Sequence, residues 1–288
     1  MRCRDERTPL PVEQASTVLF WFAFALYVGA TVLYAYQFIL RRQKVVWWAR
    51  FLTGAGFVCQ TLAIGANSVA RHGTPLDGAN QLMLASWALV LLYFVMEHII
   101  KIRAYGAFLI PVSAVLMIVS QLIGEGTGGL RPGDPYYGNI TAIHVALIVF
   151  ANAGFAVGSV SSMLYLFQSS QLKRHKTSVL SRRLPSLATL QNVARRSISL
   201  AYPVYTAGLM MGIVRAIQAD EKGWWQDPRI MMAGIVWVTF GAYLVLVYRH
   251  NVSSRTSSWL AVVGFVFVAV LAIIARTLPV GFHVFGLR

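Results

Sequence analysis

The amino-acid sequence predicts an all-α integral membrane protein, with about eight transmembrane helices in one bundle and both termini on the external side. Of its 288 residues, 57% are hydrophobic and only 12% are charged, whereas a soluble domain carries about 25% charged residues. The apolar residues fall into long stretches with few charges, and Lys and Arg concentrate between alternate stretches. This composition excludes an intrinsically disordered chain, a disulfide scaffold and a soluble secreted enzyme.

Eight stretches are long enough to cross a membrane as helices, because about 20 apolar residues span roughly 30 Å of hydrocarbon. The alternation of polar and apolar residues that is typical of a transmembrane barrel is absent from the sequence, and helices satisfy their own backbone hydrogen bonds in lipid. The predicted spans are residues 18–40, 51–69, 81–100, 104–123, 143–167, 197–218, 230–248 and 259–274.

Lys and Arg residues orient the bundle. Fifteen of the 25 Lys and Arg residues, but only one of the 10 acidic residues, lie in the loops that follow the odd-numbered spans. Loops rich in Lys and Arg face the cytoplasm, so these loops are predicted to be cytoplasmic and both termini external. Topology thus explains the net charge of +15, and no nucleic-acid partner is needed to explain it.

The same topology divides the chain into three segments. Residues 1–17 form a polar external tail. The span that follows is too long for a removable signal peptide and lacks a clear cleavage site of small residues. Residues 18–274 form the membrane domain, which includes a basic cytoplasmic loop at 169–196 and an external loop at 219–229, here named the tryptophan loop. Residues 275–288 form an external C-terminal tail.

Small residues on two spans are expected to serve helix packing. Gly154 and Gly158 on the fifth span have the four-residue spacing that lets membrane helices approach closely, and so do Gly208 and Gly212 on the sixth. We therefore interpret these four glycines as parts of helix–helix contacts.

Ionisable and thiol groups within the predicted spans are few. Glu97 precedes Lys101 by four residues, and we expect the two side chains to pair at the cytoplasmic interface. Cys3 and Cys59 are the two cysteines of the chain, and no Cys-x-x-Cys-His motif occurs. The chain is therefore not itself a c-type cytochrome.

Histidine and tryptophan side chains meet at the predicted external face. His144 opens the fifth span, His283 lies in the tail after the eighth, and the tryptophan loop contains Trp224 and Trp225. These groups could hold a haem, with indoles stacked on the ring and imidazole nitrogens on both sides of the iron. The alternative is that the tryptophans are interfacial anchors and that His144 caps a helix end. The basic side chains available to pair with haem propionates are Arg215, Lys222 and Arg229.

Several short motifs along the chain are recognisable in combination. They are Gly73-Thr74-Pro75-Leu76 with Gln81 and Ser86-Trp87, Gly154-Phe155-Ala156-Val157-Gly158 after His144, Leu164-Tyr165-Leu166-Phe167-Gln168, Leu184-Pro185-Ser186-Leu187, Ala201-Tyr202-Pro203, and Gly281-Phe282-His283. In this order and with eight spans, they resemble the CcsA/HemX-type cytochrome c assembly proteins. That haem-handling family is marked by a tryptophan-rich external loop that ends in Trp-Asp-Pro.

The resemblance implies a cytochrome c biogenesis factor of the bacterial cytoplasmic membrane. Such proteins are thought to receive haem and to present it on the outer face for attachment to apocytochrome c, with a ResB/CcsB-type membrane protein as partner. The cofactor would be a transiently held b-type haem. Carried over to this sequence, the ligands of the haem iron are His144 and His283, and the loop residues are Trp224, Trp225, Asp227 and Pro228.

The tryptophan loop departs from the family pattern in two places. The family loop usually reads Trp-x-Trp-Asp-Pro-Lys-Glu, whereas Gln226 replaces the second tryptophan here and Arg229-Ile230 replace Lys-Glu. These differences favour the shorter, HemX-like branch, some members of which are linked to the control of glutamyl-tRNA reductase levels. The alternative function is therefore a membrane regulator of that enzyme, which contacts it through the basic segment 171–196 without stable haem binding.

Catalysis by the single chain is not predicted. The sequence shows no acid–base or nucleophilic constellation, so the chain would act as the haem-handling subunit of a cytochrome c synthetase-like system. A transporter of another small molecule has the least support, because the spans contain no midplane relay of ionisable residues.

Overall fold

Helix is the regular structure throughout the described part of the chain. The computed structural model describes residues 11–40, 43–70, 78–100, 105–123, 138–174, 184–220, 223–250 and 252–277. Within these ranges the α-helices are α1 (Pro11–Leu40), α2 (Gln43–Ala70), α3 (Gly78–Ile100), α4 (Gly106–Ile123), α5 (Asn139–Lys173), α6 (Leu187–Gln218), α7 (Pro228–Arg249) and α8 (Ser254–Thr277).

Each predicted span overlaps one of these helices, but several helices are longer than the spans. Helix α1 begins at Pro11 rather than residue 18, so part of the predicted N-terminal tail is helical. Helix α5 continues to Lys173 and α6 begins at Leu187, so the predicted loop 169–196 is helical at both of its ends. Backbone hydrogen bonding therefore extends beyond the apolar stretch that marks the membrane.

The protein is an all-helical, multi-pass membrane protein. Five helices are long and apolar enough to cross a membrane, namely α1, α3, α5, α6 and α7, and α4 is a shorter apolar helix. Helices α2 and α8 do not belong to this group over their described residues. The count of eight transmembrane helices, the external position of both termini and the three predicted segments stay predictions.

The outward surface of the helices is apolar, and polar groups lie inside. Large apolar side chains such as Phe22, Leu122, Leu200 and Val238 are exposed, as expected of a surface that faces lipid. Inside the first four helices, Gln60 is fully buried. Its side chain accepts a hydrogen bond from the Tyr27 hydroxyl and donates to Ser86 Oγ and to the Met83 carbonyl, at 2.8, 3.1 and 3.1 Å. Such satisfied interior polar groups are what a low-dielectric surrounding requires.

The helices pack as two groups of four, α1 to α4 and α5 to α8, and α5 contributes to the apolar core of both. One apolar cluster combines buried residues of α1 to α4 with residues of α5 and of the first turns of α6, and a second combines the opposite side of α5 with α6, α7 and α8. The most extensive helix pairs are α1 with α2 and α5 with α6. Successive helices run antiparallel, so odd-numbered helices all begin at one end of the bundle, which is the end that carries the tryptophan loop.

Glu97 pairs with an arginine of another helix. Arg50 Nε on α2 lies 3.0 Å from Glu97 Oε1 on α3, and the Glu97 side chain is buried whereas that of Arg50 is half exposed. The expected partner, Lys101, lies outside the described residues. The pairing therefore crosses between helices, because the buried side of α3 faces α2 at this depth.

Glycines set the register of α5 against α6. A Cβ added to Gly158 would lie 2.6 Å from Ile198 Cγ1, and one added to Gly208 would lie 3.0 Å from Ile148 Cδ1. Ten residues along α5 from Ile148 to Gly158 correspond to ten residues back along α6 from Gly208 to Ile198. The two helices are therefore antiparallel neighbours in one register, with glycines of each helix accommodating side chains of the other.

Replacing Gly158 with leucine should destabilise the bundle. The new side chain meets Ile198 and the Ala194 carbonyl, and overpacking of this kind costs about 1–3 kcal/mol or more. The matched control is Gly234→Leu on α7, where a Cβ meets nothing within 4 Å and where leucine gains about 0.8 kcal/mol of helix propensity. Thermal unfolding in detergent should be lower for the first variant and unchanged or higher for the second. Equal shifts would contradict the register.

Candidate functional site

His144 lies at the end of the bundle that carries the tryptophan loop. It stands in the second turn of α5, beside the C-terminal half of α6. From Gly212, which faces His144, to the last residue of α6 is about 9 Å at 1.5 Å per residue. The tryptophan loop follows α6 directly, so the structure brings the predicted histidine and the predicted loop to the same end.

A backbone hydrogen bond fixes the imidazole ring of His144. Its Nδ1 lies 2.6 Å from the carbonyl oxygen of Gly208 on α6. A carbonyl oxygen only accepts hydrogen bonds, so Nδ1 carries the proton, and in the neutral ring the lone pair then belongs to Nε2. Histidine ligands of metals are commonly held in this way, with the second ring nitrogen donating to a carbonyl. The geometry thus fixes both the tautomer and the orientation of the ring.

Gly212 provides the space in which this ring lies. A Cβ on Gly212 would come within 2.6 Å of His144 Cε1 and 2.9 Å of Nδ1. The sequence predicted that Gly208 and Gly212 serve helix packing, and the structure adds that one supplies the acceptor for His144 and the other its space. The signal in the sequence is the glycine pair itself, but its meaning depends on the register of α5 and α6.

The tryptophan loop is shaped by its last residues. Gly223 has φ of 77°, a left-handed conformation that glycine adopts without strain, and residues Trp224–Gln226 form one turn of 3-10 helix. Asp227 then caps α7, with its side chain accepting from the Arg229 amide at 2.8 Å, and Pro228 occupies the first turn of the helix. Asp227 is 4% exposed, so this carboxylate serves the loop's geometry and not its surface.

The two tryptophans of the loop are not equivalent. Their ring centroids are 5.9 Å apart and their planes are at 80°, so one flat ligand cannot lie face-on against both rings in this arrangement. Trp225 is 60% exposed and Trp224 is half-buried. In this arrangement at most one of the two indoles can stack face-on against a flat macrocycle, and Trp225 is the more exposed of the two.

The remaining candidate residues are only partly described. Arg229 stands beside the Asp227 cap, and Arg215 Nη1 lies 3.4 Å from Gln218 Oε1 in the last turn of α6. Within the described ranges, His, Cys, Asp and Glu side chains do not gather in groups of three or more that could hold a metal ion. His283 and Lys222 lie outside the described residues.

Sequence comparisons identify the family. The family model described as "Cytochrome C assembly protein" matches residues 77–283, from α3 through the tryptophan loop to the predicted terminal histidine. The chain belongs to the cytochrome c assembly protein family. No solved structure gives a significant match to it.

Its relatives include proteins with two different names. It is 26% identical over 244 residues to the cytochrome c biogenesis protein CcsA of Guillardia theta, covering 78% of this chain and 81% of that protein. It is 24% identical over 241 residues to protein HemX of Brevibacillus brevis, covering 83% and 88%. A CcsA of Gloeobacter violaceus is 24% identical over 321 aligned positions, covering 92% and 94%. The predicted CcsA/HemX resemblance is confirmed.

Replacing Gly212 with alanine should displace the imidazole of His144. The added methyl group would overlap the ring, which costs about 1–3 kcal/mol unless the ring moves. In NMR spectra of the protein with 15N-labelled histidine, the ring signal assigned to His144 should lose the pattern of a protonated Nδ1 in this variant. The control Gly234→Ala should leave that signal unchanged. An unaltered His144 signal in Gly212→Ala would show that Gly212 does not hold the ring in place.

Replacing Asp227 with alanine should loosen the start of α7. Loss of the cap costs about 0.5–2 kcal/mol, whereas asparagine caps about as well as aspartate. We expect Asp227→Ala to lower the thermal unfolding temperature and to shift tryptophan fluorescence, and Asp227→Asn to resemble the wild type in both. If the asparagine variant behaves like alanine, the charge of Asp227 matters and the cap does not.

Proposed function

We propose that this protein is a cytochrome c biogenesis factor that binds or positions haem on the external face of a bacterial cytoplasmic membrane, for attachment to apocytochrome c. Membership of the cytochrome c assembly family and relatives named CcsA support the role in biogenesis. The concentration of Lys and Arg in alternate loops supports the external position of the tryptophan loop.

The single observation that supports haem ligation most directly is the fixed ring of His144. The Gly208 carbonyl holds the proton on Nδ1, and the lone pair of Nε2 is the group that binds iron in histidine-ligated haems. A histidine that served only as a helix-end cap would bond to backbone groups of its own helix. Here the acceptor belongs to the neighbouring helix, which orients the ring across the helix pair.

The described residues fit a haem in several respects. His144 would be one ligand of the iron, Trp225 offers an exposed indole, and Arg229 could pair with a propionate. His283 is proposed as a second ligand from the sequence. A bound haem supplies the iron and the reactive edge of the porphyrin, which are the cofactor's own chemistry.

The protein's own contribution is positional. His144 would hold the cofactor, Asp227 and Pro228 would hold the tryptophan loop at the start of α7, and Trp225 would help to exclude water from the bound cofactor. We propose a ResB/CcsB-type membrane protein and apocytochrome c as the partners. The chain would therefore act as the haem-handling part of a larger synthetase-like assembly and not as an enzyme alone.

A second candidate function is membrane regulation of glutamyl-tRNA reductase. The similarity to protein HemX of Brevibacillus brevis favours it, and so do the departures in the tryptophan loop. The contact surface would be the basic segment 171–196. Its described part includes Lys173 and Arg174 at the end of α5, and Arg195 and Arg196 near the start of α6.

Haem content separates the two functions. Purified from cells with ample haem, the protein should show a Soret band and a bis-imidazole spectrum. In the variants His144→Ala and His283→Ala, the haem content per protein should fall at least tenfold, because each substitution removes one ligand of the iron. The control is His250→Ala, an exposed histidine at the opposite end of the bundle, which should keep the full haem content.

A colourless wild-type protein would overturn the haem proposal. If that protein also retained glutamyl-tRNA reductase, and lost it when Arg195 and Arg196 were changed to glutamine, the regulatory function would replace it. Equal haem loss in all three histidine variants would indicate a folding defect, which thermal unfolding of each variant distinguishes from ligand loss.

A further inference from the structure

The chain contains two four-helix units with the same packing pattern. In the first, α1 packs against α2 and α4, and α3 packs against α4 and α2. In the second, α5 packs against α6 and α8, and α7 packs against α8 and α6. Because each unit has an even number of helices, both units begin at the same end of the bundle, as parallel repeats in membrane proteins do.

An aromatic stack joins α2 to α3 in the first unit. Trp87 stacks on Phe57, with centroids 5.3 Å apart and planes at 21°. Its Nε1–H donates to the Thr61 hydroxyl at 2.9 Å, and Thr61 donates to the carbonyl of Phe57 at 2.7 Å. One turn of α2 thus provides both contacts of the Trp87 indole, namely the Phe57 ring on which it stacks and the Thr61 hydroxyl that accepts its hydrogen bond.

The same stack joins α6 to α7 in the second unit. Trp237 stacks on Tyr202, with centroids 5.8 Å apart and planes at 26°. Its Nε1–H donates to the Thr206 hydroxyl at 3.0 Å, and Thr206 donates to the carbonyl of Tyr202 at 2.9 Å. All three kinds of contact recur, with the same four-residue spacing between the aromatic residue and the threonine.

A cross-helix hydrogen bond beside each stack also recurs. Gln60 Nε2 donates to the Met83 carbonyl at 3.1 Å, and the Tyr205 hydroxyl donates to the Ala233 carbonyl at 3.3 Å. Gln60 and Tyr205 each precede by one residue the threonine that accepts the indole hydrogen bond. Met83 and Ala233 each precede the stacked tryptophan by four residues. The correspondence between the units therefore extends over two helices without a gap.

The correspondence matches Ser16 of α1 with His144 of α5. Ser16 Oγ donates to the Ala63 carbonyl at 3.0 Å, and His144 Nδ1 donates to the Gly208 carbonyl at 2.6 Å. Ala63 and Gly208 each follow by two residues the threonine that accepts the indole hydrogen bond. In the first unit a hydroxyl thus takes the place that the imidazole has in the second.

A cavity of about 60 Å³ lies beside Ser16, with Phe20 and Met83 as its apolar lining. Its other lining side chains are uncharged and polar, namely Ser16, Thr17, Asn67, Asn80, Ser120 and Gln121. At about 10–15 Å³ for each water-sized position, the volume corresponds to about four to six such positions. We propose that this cavity is a second ligand site, the counterpart of the His144 site, and that it binds the glycerol unit of a small uncharged polyol or of a lipid headgroup.

The chemistry of the lining favours such a ligand over an ion. The hydroxyl protons of Ser16 and Ser120 are bonded to the carbonyls of Ala63 and Met117, so their oxygens can accept hydrogen bonds from ligand hydroxyls. Among the described residues, those that line the cavity include no basic group to bind a phosphate and no carboxylate to bind a divalent cation. Glycerol, with three carbons and three hydroxyls, matches both the size and the mixed lining.

Protection of an introduced cysteine tests the site in the full chain. In a background of Cys3→Ser and Cys59→Ala, Ser120→Cys places a thiol in the cavity wall. We expect glycerol to slow its modification by N-ethylmaleimide at least threefold, and sucrose at equal viscosity, which is too large to enter, to leave it unchanged. The matched control is Ser169→Cys on α5, where the serine makes the same type of bond three residues back, and neither compound should slow its reaction.

Lipid composition then distinguishes the two sources of the glycerol unit. Without added glycerol, protection in nanodiscs of phosphatidylglycerol but not of phosphatidylcholine would assign the site to a lipid headgroup, and equal rates in both would assign it to a free polyol. Ser16→Cys repeats the test should Ser120→Cys fail to fold. No slowing by glycerol, or equal slowing by glycerol and sucrose, would overturn the proposal. The result is independent of haem, so it does not depend on the proposed function.

Discussion

The register between α5 and α6 is the constraint on which the candidate site depends. Glycines let the two helices approach closely, and the same register that seats Ile198 on Gly158 brings His144 against Gly208 and Gly212. The ring is therefore oriented by the packing of a long helix pair and not by a local turn. Because α5 also belongs to the apolar clusters of both four-helix groups, the position of His144 is tied to the bundle as a whole.

The tryptophan loop is positioned by a different kind of interaction. Asp227 and Pro228 begin α7, and a left-handed glycine begins the short 3-10 turn that carries the tryptophans. The family motif thus divides into residues that fix the backbone and residues that present a surface. Of the two indoles, Trp225 is the more exposed, and the two ring planes are nearly perpendicular, so the loop offers an asymmetric surface.

The sequence predicted a helical membrane bundle because long apolar stretches have one economical structure in lipid. It did not predict where α5 ends or where α6 begins, since a helix continues into polar residues as long as its backbone bonds are satisfied. It did not predict the contact of Glu97 with Arg50 of another helix, and the predicted pair with Lys101 stays a prediction. The roles of Gly208 and Gly212, and the match between Ser16 and His144, depend on contacts between residues that are distant in the sequence.

The acceptor for His144 is a main-chain carbonyl, and this has a consequence for how the family can diverge. No substitution on α6 removes a carbonyl oxygen, so the orientation of the ring survives changes in most of the side chains around it. Only a change that shifts the helix, such as an insertion, a proline or a larger residue at a glycine, would release it. Divergent relatives can therefore share this arrangement while the residues around the ring differ, as long as the glycines that admit it are kept.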